Sequence, residues 1–194
     1  MRKLTIVDIK DVRAYERERA EFRAQIIAMK KRRRIPLGDL MTIVFENTDT
    51  MRFQVQEMAR AERMATDAQI EHEVDTYNQL IPDPGELSST LFIEINEQER
   101  LFDWLPKLVG IQRAVSFWLP DGSVVPSIPQ DEERLTREET TTTVHYLKFR
   151  FSPEQAVALA EPGSKLVVDH ANYQAVVDLG EEQRAELSGD LATV

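Results

Sequence analysis

Two histidines and two glutamates have side chains that could together bind a metal ion. The candidate ligands are Glu57, Glu62, His145 and His170. Carboxylate and imidazole groups suit Fe, Mn or Zn, and two His with one carboxylate are the minimum for an open catalytic iron site. The Glu-x-x-His pair of four-helix di-iron proteins does not occur in the sequence. The chain also has no Cys, which excludes an iron–sulfur cluster on cysteine and any thiolate metal site.

Each histidine in this set has a structural explanation as well as a chemical one. His145 shares the apolar face of a predicted strand with Leu147, so it must be hydrogen-bonded or ligating if it is buried. His170 follows a predicted strand, at a position where loops often present functional groups. Turn chemistry around Asn172 explains that segment equally well. Both interpretations stay open at this point.

A row of polar side chains on a predicted helix could line a small-molecule pocket. Arg52, Gln56, Arg60 and Arg63 lie along one side of this helix, and Glu57 lies near the border of its apolar stripe. A solvated helix face, with Glu57 paired to Arg60 or neutralised by Arg52, explains the same pattern. This row of side chains could therefore either line a pocket or face the solvent.

The predicted elements that must position these residues form an α+β fold. We expect a largely antiparallel sheet of about five or six strands, packed by an N-terminal helix and a central helix pair. Strands are predicted at 40–46, 87–95, 114–119, 123–128, 142–151 and 165–169. The first helix of the pair is predicted from about Thr50 to Ala65 with Asp49 as its N-cap, although 50–56 also alternates as a hairpin strand would. A capping box at Thr66 begins the second.

Length and composition indicate one soluble domain. The 194 residues are 42% hydrophobic and 30% charged, which is typical of a globular protein, and no apolar run reaches the ~18 residues of a membrane span. We divide residues 1–194 into a basic helix at about 12–34, a body at about 40–175 and a C-terminal tail at about 176–194. The acidic stretch 130–139 is predicted to be a loop or short exposed helix. Because a charge follows the first residue too closely for a secretory signal, we expect a cytoplasmic protein.

The charge distribution argues against nucleic-acid binding. The net charge is -10, and phosphate attraction requires an excess of cations. Residues 1–34 nevertheless carry +7, which leaves -17 for the remainder. We expect the basic helix to pack on an acidic surface, either of its own chain or of a partner. The run Lys30–Arg34 is then a set of cations at a helix C-terminus rather than a DNA-binding patch.

The sequence resembles an uncharacterised bacterial family of domains of unknown function, over residues 3 to about 175. The resemblance is carried by the segments FRAQIIAMKKRRRIPLG, FENTDTMRFQVQEMARAE, YNQLIPDPGELSSTLFIEI, VHYLKFRF and VDHANY. Members of this family are often encoded beside rubrerythrin-like and iron–sulfur oxidoreductase proteins, which implies a setting near iron or peroxide chemistry. The family has no established functional residues to transfer, and Ala171 stands where Pro is expected.

Three further positions join the candidate pocket because they match this family. Tyr77 and Asn78 lie on the second predicted helix, whose apolar repeat runs from Ile70 to Ile81, and Tyr173 follows the strand that precedes His170. The chain is thus expected to be a metal- or small-molecule-binding accessory factor in iron- or peroxide-related redox metabolism. The alternative is a non-catalytic interaction protein, either a homodimer or an adaptor for a rubrerythrin-like or iron–sulfur redox protein. No phosphate-binding glycine loop or nucleophile elbow occurs, so no reaction is predicted.

Overall fold

Eight antiparallel strands form a nearly closed barrel in the computed structural model, which describes residues 1–130 and 139–192. The strands are β1 Arg34–Leu37, β2 Met41–Glu46, β3 Glu86–Ile93, β4 Val115–Trp118, β5 Val124–Gln130, β6 Val144–Arg150, β7 Lys165–His170 and β8 Tyr173–Asp178. Their order is β1-β2-β3-β6-β5-β4-β7-β8, and every neighbouring pair is antiparallel. The expectation of an α+β fold with a sheet of about five or six strands was therefore wrong, because eight strands form this nearly closed barrel.

The two strands missing from that expectation, β1 and β8, are the ones that close the barrel. β1 contains Pro36, a residue that usually interrupts regular structure but is tolerated where a strand lies at an edge. Tyr173–Asp178 was divided between the body and the predicted tail, although its buried and exposed residues alternate as in a half-buried strand. Because closure joins segments from opposite ends of the chain, local patterns do not reveal it.

One side chain joins these two edges. The Tyr173 hydroxyl donates to the carbonyl of Leu37 at 2.6 Å and accepts from the backbone N–H of Leu40 at 3.2 Å. Gly38 lies in the turn beneath it with φ +71°, and a Cβ at this position would stand 2.2 Å from the tyrosine oxygen. The turn thus requires glycine both for its backbone conformation and for space.

The barrel interior forms the larger of two hydrophobic clusters. Phe45, Phe117 and Phe149 meet there with ring centroids 4.9–6.1 Å apart. His145 and Leu147 face the same interior from β6, as the alternation of that strand predicted. A separate cluster joins the N-terminal residues to the central helix pair; it contains Leu4, Ile9, Met51, Val55, Val74 and Ile81.

Six helices lie among the described residues. They are α1 Val12–Arg33, α2 Thr48–Ala61, α3 Asp67–Asn78, α4 Gln98–Trp104, α5 Pro153–Ala160 and α6 Glu181–Ala192, with short 3-10 turns at Ile6–Asp8, Leu105–Leu108 and Ile111–Arg113. Residues 50–56 are helical, but the N-cap of α2 is Asn47 rather than Asp49. Most of the acidic stretch 130–139 lies outside the described residues. No described helix combines the length and apolar character that crossing a membrane demands.

A buried arginine at the end of α1 pairs with acidic side chains of the C-terminal helix. Arg33 is 1% exposed, and its guanidinium donates to the carbonyl of Phe45 and to the carboxylates of Glu186 and Asp190. The acidic surface that meets the basic helix is therefore the chain's own C-terminal helix. Leu187 and Leu191 of α6 are buried and belong to the larger hydrophobic cluster.

Substituting Gly38→Ala should destabilise the protein by about 2–4 kcal/mol. Alanine is strained in the left-handed backbone conformation, and its Cβ would clash with the Tyr173 hydroxyl. Urea unfolding measures this loss. Gly110→Ala is the matched control: its φ of +90° imposes the same backbone strain, but no neighbouring atom lies within 4 Å of the added Cβ. In a Tyr173→Phe background the clash is partly relieved, so the added cost of Gly38→Ala should fall by about 1 kcal/mol. Equal costs for the two glycine variants would contradict this account of closure.

Candidate functional site

A cavity of about 240 Å³ lies between the N-terminal residues, α1 and α2. Its lining residues are Asp8, Lys10, Tyr15, Glu18, Glu21, Phe22, Gln25, Arg52 and Gln56. Two of the predicted pocket residues, Arg52 and Gln56, are among them. The cavity combines aromatic rings with charged groups, as small-molecule sites commonly do. We call it the α1–α2 pocket.

Arg52 contributes an unused hydrogen-bond donor to this pocket. Its guanidinium carbon lies 4.8 Å from the centroid of the Phe22 ring, within cation–π range. One terminal nitrogen pairs with Asp49 at 3.2 Å. The Nε atom is buried and has no hydrogen-bond partner among the described residues. A buried donor left unpaired costs about 1–3 kcal/mol, so an acceptor placed here would recover that energy.

Gln56 serves the architecture of the pocket rather than a ligand. Its side-chain amide donates to the carbonyl of Lys10 at 2.8 Å and accepts from the N–H of the same residue at 2.9 Å. Asn78 holds Leu4 in the same reciprocal way, at 2.9 and 2.7 Å. Residues 1–10, here called the N-terminal strap, are thus clamped at two points. The strap forms one wall of the pocket through Asp8 and Lys10.

Glu57 lies beside the pocket in a paired state. The Arg19 side chain donates to both of its oxygens at 2.8 Å, and the Tyr15 hydroxyl donates at 2.6 Å. Hydrogen bonding from Arg19, helped by Tyr15 and opposed by partial burial, lowers the pKa of Glu57 to about 2. The partner is thus Arg19 on α1 rather than Arg60 or Arg52. The cluster ties α1 to α2.

The remaining predicted ligands lie elsewhere with partners of their own. Glu62 is the exposed C-cap of α2. The Nε2 atom of His145, inside the barrel, lies 3.0 Å from the Thr141 hydroxyl and 3.1 Å from the Thr142 carbonyl. Nowhere in residues 1–130 and 139–192 do three or more His, Asp or Glu form a group that could hold a metal ion. The structure does not bring the four predicted ligands together.

His170 takes part in a latch between the β7–β8 turn and the segment before β4. Its Nε2 atom lies 3.0 Å from the Val109 carbonyl, and its Nδ1 atom accepts from the N–H of Asn172 at 3.2 Å. The Asn172 amide donates to the carbonyl of Lys107 at 2.7 Å. These contacts favour the turn-chemistry explanation of this segment.

The other predicted pocket residues are dispersed, and several lining residues were missed. Tyr77 packs on the helical cluster, Tyr173 closes the barrel, and Arg60 pairs with Glu16 at 2.6 Å. The missed residues come from α1 and the strap. Phe22, Ile26 and Met29 recur at helical spacing, but nothing in the sequence shows that this side of α1 faces Arg52.

Comparison with known proteins shows a relationship along the whole chain. A family model described as "Protein of unknown function (DUF3501)" matches residues 3–191. A crystal structure at 1.90 Å resolution, of a novel protein of unknown function from Burkholderia pseudomallei K96243, is similar at 30% identity with a TM-score of 0.90. The match covers 98% of this chain and 100% of that chain. No curated protein matches the sequence.

Substituting Glu57→Gln should lower stability by about 1–2 kcal/mol at neutral pH, because partly screened hydrogen bonds to a charged group are lost. The pKa of Glu57 is lower in the folded state than its ordinary value of 4.5. The stabilisation is therefore complete above about pH 4.5 and disappears as the pH falls towards about 2. Chemical unfolding of both proteins across this range measures the difference. A constant offset for Glu57→Gln across this range would contradict the assignment.

Proposed function

Because the chain belongs to the DUF3501 family, whose function is unknown, we propose a role from its geometry: it is a small-molecule-binding protein whose ligand occupies the α1–α2 pocket. The buried, unpartnered Nε of Arg52 is the observation that carries this proposal. A structural arginine in a finished interface would have that donor satisfied, as Arg33 does. At Arg52 that donor has no partner, and because the side chain as a whole is 40% exposed, a small rotation would present the donor to a ligand.

The chemistry of the donor selects an anionic group. Guanidinium N–H groups form a planar fork that matches a carboxylate or phosphate, and hydrogen bonds to ionised acceptors are the stronger kind. Phe22 lies against the guanidinium and restricts its orientation. We therefore propose that the ligand carries a carboxylate or phosphate group, which accepts hydrogen bonds from Arg52.

The size of the cavity limits the ligand. A volume of about 240 Å³ has room for roughly eight non-hydrogen atoms at the ~30 Å³ that each water occupies in the liquid. Cofactors such as dinucleotides and flavins are much larger, so the pocket fits a metabolite-sized molecule. The rings of Tyr15 and Phe22 supply the apolar part of its lining.

The cellular setting follows from the family resemblance rather than from the pocket. We place the protein, as an accessory factor, in iron- or peroxide-related redox metabolism, beside rubrerythrin-like or iron–sulfur oxidoreductase proteins. Binding of Fe, Mn or Zn by Glu57, Glu62, His145 and His170 stays a prediction with no support from the contacts of these residues. Metal analysis of protein purified without chelator tests it.

Small carboxylates and phosphate should raise the melting temperature of the wild-type protein. A ligand at about 100 times its Kd stabilises by about 2.7 kcal/mol, or about 5–10 °C for a domain of this size. Arg52→Gln should abolish the shift by removing the fork, whereas Arg23→Gln removes an exposed charge outside the pocket and should preserve it. No response to any anion, or an equal response in Arg52→Gln, would refute the proposal.

The outer face of the barrel favours a second candidate, self-association. Two cross-strand rows run over β5, β4, β7 and β8: Val124, Trp118, Lys165 and Asp178 in one, Pro126, Ser116, Val167 and Val176 in the other. Exposure is 46% for Trp118 and 61% for Val176. Lys165 and Asp178 pair at 3.5 Å, so the two rows carry no net charge. In a chain of charge -10, such a patch is where a second copy could approach without repulsion.

Sedimentation velocity over a range of concentrations should therefore reveal a dimer that Trp118→Lys dissociates, because the lysine charges repel across a two-fold interface. Phe102→Lys is the matched control, since Phe102 is also an exposed aromatic residue but lies on α4. A monomer at every concentration would refute self-association. If a rubrerythrin-like protein binds instead and Trp118→Lys disrupts that complex, the face belongs to an adaptor and not to a homodimer.

A further inference from the structure

Most of the charges around the α1–α2 pocket are already neutralised by neighbours. Lys10 on the strap forms an ion pair with Glu18 on α1. Both oxygens of Asp8 accept from the guanidinium of Arg2, at 2.6 and 2.9 Å. These four groups therefore need nothing from a ligand.

Two groups of opposite charge keep unused hydrogen-bonding capacity, although Arg52 already pairs with Asp49 through one terminal nitrogen. Glu21 is exposed, and its carboxylate accepts a long hydrogen bond of 3.4 Å from the Gln25 amide. No cationic side chain among the described residues pairs with it. Arg52 has its unpartnered Nε on the other helix. The pocket therefore presents a free carboxylate from α1 and a free guanidinium donor from α2.

An aromatic surface accompanies these two groups. Phe22 follows Glu21 in the chain and lies under the Arg52 guanidinium. Its ring contacts Tyr15 at a centroid distance of 6.4 Å and Phe53 at 5.7 Å, in edge-to-face geometry. The aromatic group is therefore packed on two sides, and it offers a fixed apolar surface for the body of a ligand.

We infer that the ligand of the α1–α2 pocket is an aminocarboxylate, with its carboxylate on Arg52, its ammonium group on Glu21 and its carbon chain against Phe22. A simple anion would satisfy Arg52 but would meet the Glu21 carboxylate, and like charges at close range repel. A simple amine would satisfy Glu21 and leave the arginine donor unpaired. This inference rests on the proposed function, because it names the ligand class of the same pocket.

Calorimetric titration with matched ligands tests the inference. The aminocarboxylates are glycine, valine, β-alanine, γ-aminobutyrate and ε-aminocaproate, so that the distance between the two charges varies. Their controls lack one charge: acetate, isovalerate, propionate, butyrate and caproate carry only the carboxylate, and butylamine carries only the ammonium. At least one aminocarboxylate should bind the wild-type protein about tenfold or more tightly than either kind of control.

The Glu21→Gln variant separates the two halves of the site. It should weaken the aminocarboxylate to the affinity of its amine-free control and leave that control's affinity unchanged or improved. Glu71→Gln, an exposed glutamate on α3, is the matched control and should bind as the wild type does.

The outcomes distinguish this inference from the proposed function. If carboxylates alone bind as tightly as aminocarboxylates, and Glu21→Gln changes neither, the aminocarboxylate assignment is overturned while the anion site on Arg52 stands. If no ligand of either kind binds, both the assignment and the anion site are overturned.

Discussion

The burial of the Arg33 guanidinium fixes the position of α1, and the rest of the helical layer depends on it. Desolvating a charged group costs several kcal/mol unless its donors are satisfied. Those donors are met by the backbone of β2 and by Glu186 and Asp190 of α6. Of the 22 residues of α1, only Tyr15, Ile26 and Arg33 are buried. A helix with so little apolar contact is held on the barrel mainly by its polar anchors.

The α1–α2 pocket is a consequence of those anchors. Arg33 fixes the C-terminal end of α1, and the Tyr15–Arg19–Glu57 cluster fixes its N-terminal half to α2. Gln56 then attaches the N-terminal strap. Most polar groups around the cavity are thereby committed to building its walls, and such preorganised walls reduce the entropic cost of binding. Because Arg52 and Glu21 are not committed in this way, they are the groups that a ligand would meet.

The sequence predicted local features of the fold and of the pocket, but it did not predict contacts between residues far apart in the chain. The alternation in β6 placed His145 in the interior correctly, and helical spacing placed Arg52 beside an apolar stripe. The structural roles of Gln56 and Asn78 were not predicted, because their partners are backbone groups 46 and 74 positions away, which no local pattern shows. The closure through Tyr173 joins residues 136 positions apart, so β1 and β8 were missed for the same reason. The family resemblance likewise singled out Tyr173, but it did not reveal that this residue closes the barrel.

The most direct test of the account is to observe the Arg52 Nε–H itself. In nitrogen-labelled protein this group gives its own resonance, which Arg52→Gln identifies by its disappearance. Titration with γ-aminobutyrate and with the other aminocarboxylates should move that resonance saturably, in the direction expected when an N–H gains an ionised acceptor, and leave the Nε–H of Arg33 unchanged. If the Arg52 resonance stays fixed throughout the titrations while the protein remains folded, the pocket does not bind its ligand through Arg52 and the central claim is wrong.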